Sequence, residues 1–84
     1  MEQEVILKHY KEYLEIELNA ANRIFNNPIS VFCDANEIYS QTIQRVLGVS
    51  TFIQNFGVDY FVIDSFYEEF KIKLSKLLDE RKQI

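Results

Sequence analysis

Apolar residues recur along this chain at alternating steps of three and four, the period of an α-helix. From about residue 2 to 26, one stripe joins Leu7, Leu14, Leu18, Ala21 and Phe25, with Lys11 filling a slot. A second set, Ile6, Tyr10, Tyr13, Ala20 and Ile24, widens that face. Asn26, Asn27 and Pro28 then end the helix, because Asn accepts a left-handed cap and the residue before Pro disfavours α. Ile29, Val31 and Phe32 make a short apolar connector.

Asp34 followed by Glu37 fits a capping box, so a second helix is predicted over 34–56. Asn27 with Pro28 at the first helical position is the alternative start. The stripe of this helix, Ala35, Tyr39, Thr42, Val46, Val49, Ile53 and Phe56, is the most regular in the chain, and Ile38, Ile43 and Leu47 thicken it. Gly48 falls inside it at a cost of about 1 kcal/mol relative to Ala. Such a glycine either admits another backbone or breaks the helix in two. Gly57 is a natural stop, and Asp59 or Asp64 can cap a third helix, predicted over 60–82. Its stripe is Ile63, Phe66, Phe70, Leu74, Leu77, Arg81 and Ile84, flanked by Tyr67 and Leu78. Glu68–Lys71 and Glu69–Lys73 are spaced to pair on its outer face. Val58–Ile63 has strand-like composition, but with no second strand to pair with it reads as connector or helix start.

The segment Val46–Ile63 stands apart. It carries one charge, Asp59, between flanks dense with Glu and Lys. Phe52, Phe56, Tyr60, Phe61, Phe66, Tyr67 and Phe70 crowd into this segment and the turns after it. Three helices of this length need about one apolar stripe each, and here more than one face is apolar. The excess is expected at a contact surface made of Val46, Val49, Phe52, Ile53, Phe56, Tyr60 and Phe61.

Composition narrows the class. With 84 residues the chain makes one domain with a thin core, so it has a modest stability margin. Only 2 Gly and 1 Pro leave little for the many turns of an all-β fold. The net charge of −4 opposes phosphate backbones unless positive charge is segregated. Lys71, Lys73, Lys76, Arg81 and Lys82 do gather late in the third helix, where cations complement its dipole. A lone cysteine, Cys33, rules out an internal disulfide. The acidic start MEQEVILKHYKEY lacks the form of a signal peptide, and no apolar run is long enough for a membrane span. The expected setting is the cytoplasm. The Ile-, Asn- and Lys-rich usage fits a low-GC bacterium or its phage.

Motifs for chemistry are sparse. Leu47–Ser50 (LGVS), within QRVLGVSTFIQNFG, resembles the turn of a DNA-binding helix-turn-helix. The pattern asks for a small residue where Gln44 stands and for apolar residues where Gln54 and Gly57 stand. Thr51–Phe56 also offers no Arg or Lys to a base or phosphate. A Cys–His nucleophile would have to be Cys33 with His9, the single residue of each type, and nothing near Cys33 supplies an oxyanion site. Cys33 reads as a small buried hydrophobe and His9 as a solvated surface residue. Glu12/Glu15 and Glu68/Glu69 are carboxylate pairs on helix surfaces, and a single His cannot supply the two Glu-x-x-His units of a di-metal bundle.

The expectation is an all-α fold: a three-helix bundle, or a long helical hairpin, completed by homodimerisation. The expected function is non-enzymatic, a self-associating regulator or adaptor acting through protein–protein contact with itself and other proteins. No catalytic residue, cofactor or metal site is expected, and no membrane. A nucleic-acid-related regulator is the alternative, either by the helix-turn-helix resemblance at 44–57 or as an acidic inhibitor of a DNA-binding protein.

Overall fold

The computed structural model describes residues 2–26 and 34–82. They form three α-helices, α1 (Gln3–Asn26), α2 (Ala35–Gln54) and α3 (Tyr60–Lys82). Each helix packs on the other two, which makes a bundle and not an open hairpin. Its Cα envelope is 43 × 18 × 16 Å. The direction of each helix follows from its side-chain links. Tyr10 meets Ser50 and Glu17 meets Arg45, so α1 and α2 run antiparallel. Tyr39 meets Ser75, linking the start of α2 to the end of α3. Tyr10 lies beside Phe66, so α1 and α3 run parallel.

The core draws one strip from each helix. In α1 it is Ile6, Tyr10, Leu14, Ala21 and Phe25, in α2 Val46 and Ile53, and in α3 Ile63, Phe70, Leu74 and Leu78. The two predicted stripes of α1 thus merge: Leu7, Tyr13 and Leu18 pack at the edge of the core. Ile24, from the second of them, is 40% exposed. Polar groups inside are all satisfied among the described residues. Ser50 donates its one hydroxyl proton to the Val46 carbonyl at 2.7 Å. The 2.7 Å bond between Tyr10 and Ser50 is therefore donated by the tyrosine.

Helix ends follow the capping chemistry with two differences. Asp34 caps α2 through the Asn36 N–H at 2.9 Å, but Glu37 bonds forward to Gln41 instead of back to the cap. The capping box is half made. At its other end α2 stops at Gln54, before Phe56: the N–H groups of Asn55, Phe56 and Gly57 bond three residues back, which tightens the last turn. Gly57 then takes φ +82°, a left-handed conformation that suits glycine. Asp59 caps α3 through Phe61 N–H at 2.9 Å, whereas Asp64 lies within the helix. Val58 is buried connector, and no strand forms among the described residues.

Gly48 does not break α2, and among the described residues it sits in no helix crossing. The helix runs through it, and a Cβ there would meet no atom within 4 Å. Asn27, Pro28, Ile29, Val31, Phe32, Cys33 and Ile84 lie outside the described residues.

Candidate protein contact surface

The seven residues expected to form one surface divide in two. Val46 is fully buried and Ile53 nearly so, both in the core of this chain, and Val49 packs against that core. These three lie in the core or against it, inward of the surface expected of them. The inner strip of α2 claims Val46 and Ile53 because the strip also holds Thr42 and Ser50, the two buried polar residues. Phe52 (60% exposed), Phe56 (55%), Tyr60 (56%) and Phe61 (79%) remain on the surface.

These four aromatics gather where α2 ends and α3 begins. Phe52 and Phe56 are one helical turn apart and pack edge to face, with ring centroids 5.1 Å apart. Tyr60 and Phe61 do the same at 5.8 Å across the start of α3. Phe52 follows Arg45 by two turns and shares its side of α2. That side faces α1, because Arg45 Nε donates to Glu17 at 3.0 Å. Tyr60 borders the opposite groove, between α2 and α3, with Leu47, Thr51, Gln54, Asp64 and Tyr67. Sequence reasoning passed over one member of this region. Leu47, read as part of the inner stripe, is 45% exposed.

The rest of the surface is conventional. His9 is exposed beside Glu12 at 3.5 Å, and Glu68–Lys71 and Glu69–Lys73 pair as their spacing predicts. Exposed pairs of this kind add little stability. Lys11 lies 4.8 Å over the Phe66 ring, so the base in the α1 stripe covers the open groove between α1 and α3. Burial pushes the Tyr10, Tyr13 and Tyr67 hydroxyls above the usual tyrosine range, and the Glu17 carboxylate adds to the effect at Tyr13. Among the described residues, no group of three or more His, Cys, Asp or Glu is placed to hold a metal ion, and no helix is long and apolar enough to cross a membrane.

The helix-turn-helix reading fails on geometry. Such a unit needs a turn at Gly48, and α2 continues through it. Ser50, which would cap a recognition helix, is buried and bonds the Val46 carbonyl, while Thr51 bonds the Leu47 carbonyl at 2.9 Å. Both hydroxyls serve an unbroken helix. No protein family, curated protein or solved structure gives a match to this chain.

Proposed function

We propose that this chain is a non-enzymatic helical protein that works through protein–protein contact, as a regulator or adaptor, using the aromatic end of its bundle. The observation that carries the reading is the exposure of Phe52, Phe56, Tyr60 and Phe61 outside the core cluster. At roughly 200 Å² per aromatic side chain, their exposed parts amount to about 500 Å². It is divided between two edge-to-face pairs at one end of the bundle, and clustered exposed aromatics of this kind mark contact sites. Aromatic residues also dominate the energetics of protein interfaces. The open grooves between helices, lined by mixed charges, favour no small-molecule site.

Photo-crosslinking tests this. A benzophenone-bearing phenylalanine at position 61, in cells expressing the chain, should give a discrete adduct. The same group at Ile72, an apolar residue on α3 that is 66% exposed, should give none. Equal labelling at both positions, or at neither, would remove the contact reading.

A further inference from the structure

Charge is spread unevenly along the bundle. Tyr10 sits level with Ser50 and Phe66, so the start of α1 lies beside the end of α2 and the start of α3. From that level to the aromatic end the described residues carry Glu2, Glu4, Asp59 and Asp64 against a single base, Lys8. Three of the chain's four net negative charges therefore fall on this end. Lys8 lies with Glu4 and Glu12 along the groove between α1 and α3. The groove between α2 and α3 has no base in its lining. One stripe of α3 runs along it, Tyr60, Asp64 and Tyr67, at steps of four and three. Leu47, Thr51 and Gln54 of α2 form the other wall.

Asp64 is half-buried in this groove, and among the described residues it has no ion-pair partner. Cations of the chain are engaged at the neighbouring rings instead. Lys11 lies 4.8 Å over Phe66 and Lys71 lies 5.7 Å over Tyr67, while among the described residues none covers Tyr60. The groove holds about 190 Å³, less than the roughly 300–1,000 Å³ of a small-molecule site. That space suits one long side chain.

Resting on the contact reading above, we infer that the partner is another protein that docks here through a basic amphipathic segment, with one Lys or Arg seated in the α2–α3 groove. Its cation meets the Asp64 carboxylate and the face of the Tyr60 ring. Its alkyl stem lies along the apolar and aromatic walls. Apolar side chains of the same segment cover Leu47 and Phe61 at the rim, both exposed in this chain. A charge pair partly withdrawn from water is stronger than one on an open surface. The acidic end attracts such a segment and repels phosphate, which disfavours nucleic acid and anionic membranes.

Two synthetic helical peptides, titrated against the full chain by fluorescence anisotropy, test this. One carries a Leu stripe with Lys elsewhere, and the other has Glu in place of every Lys. The Leu/Lys peptide should bind saturably and more weakly as salt rises, and the Leu/Glu peptide should not bind. Asp64→Asn keeps the side-chain shape and removes the charge. Its helical circular dichroism should persist while affinity for the Leu/Lys peptide falls about tenfold or more. Glu69→Gln removes an equal charge on the α1–α3 side, next to Lys73, and should change affinity by less than about twofold. Thr51→Lys, at an exposed position, puts a like charge into the groove and should weaken binding as Asp64→Asn does. Equal losses in Asp64→Asn and Glu69→Gln would mean that net charge alone attracts the peptide, and would overturn the seat. So would a Leu/Lys peptide that does not bind, or two peptides that bind alike. The contact reading is judged separately, at position 61. No selective benzophenone adduct there removes that reading and this inference with it. An adduct that persists in Asp64→Asn, or one at twice the 10.0 kDa chain mass, keeps the contact reading and discards the basic segment.

Discussion

Phe70 and Phe52 are the same residue type in neighbouring helices, and the fold treats them oppositely. Phe70 is 3% exposed and shares the core with Tyr10, Phe25 and Leu74. Phe52 touches Phe56 and is otherwise largely in water. The inner aromatics are held by all three helices, and where they carry a hydroxyl it is bonded. The outer ones are held by one turn of helix and by each other. The inner group accounts for the bundle without help from the outer. Four large aromatic side chains left outside the core cluster at one end of the bundle are what sets this region apart.

The largest test of this division is Phe70→Ala. Emptying a buried phenylalanine site costs about 3–5 kcal/mol. A domain of this size has a total of about 4–12 kcal/mol, so most of the margin should vanish. Urea denaturation would read the change. A loss below about 1 kcal/mol would mean that Phe70 is not a core residue.

Tyr10→Phe comes next, because it keeps the ring inside and removes only the hydroxyl. Ser50 retains its bond to Val46, so the loss is one hydrogen bond, about 1 kcal/mol. The same residue sets a pH dependence. Burial pushes the Tyr10 hydroxyl above its ordinary value of 10.0, and Tyr13 and Tyr67 move the same way. A raised value means the fold prefers the neutral phenol, and the unfolded chain loses its protons first. Stability from these groups is full below about pH 10 and falls as pH rises beyond it. Urea midpoints should stay flat up to that point and then decline, with a shallower decline in Tyr10→Phe. Midpoints that rise above pH 10 would contradict the burial of these hydroxyls.

The inner and outer groups were not equally legible in the sequence. Helices predicted over 2–26, 34–56 and 60–82 are found at Gln3–Asn26, Ala35–Gln54 and Tyr60–Lys82. Local chemistry suffices there, since Asp34, Gly57 and Asp59 act within two or three residues of their own positions. Which side of α2 faces inward is a different matter. Beyond Val46 this helix is apolar over much of its circumference, and periodicity alone cannot choose between Val46 and Phe52. The choice is made by Ser50, whose burial is satisfied by Tyr10 from a different helix. No rule of spacing reports a bond between residues 40 positions apart. Gly48 shows the same limit: its place in the helix is readable, but whether space surrounds it depends on where α1 and α3 lie.

The smallest expected effect on folding gives the sharpest contrast with Phe70→Ala. Phe52→Asp alters an exposed position, and the chief cost to the single chain is the poorer helix propensity of Asp, about 0.7 kcal/mol or less. The dilute chain should unfold in urea almost as wild type does. Contact with a partner should respond quite differently, because an exposed ring would become a charge. A carboxylate would stand where the contact needs an aromatic anchor, and the benzophenone adduct at position 61 should be lost. A variant that unfolds when dilute would show that Phe52 belongs with the inner aromatics after all. One that folds and still gives that adduct would leave the inner and outer division intact and move the partner to another face.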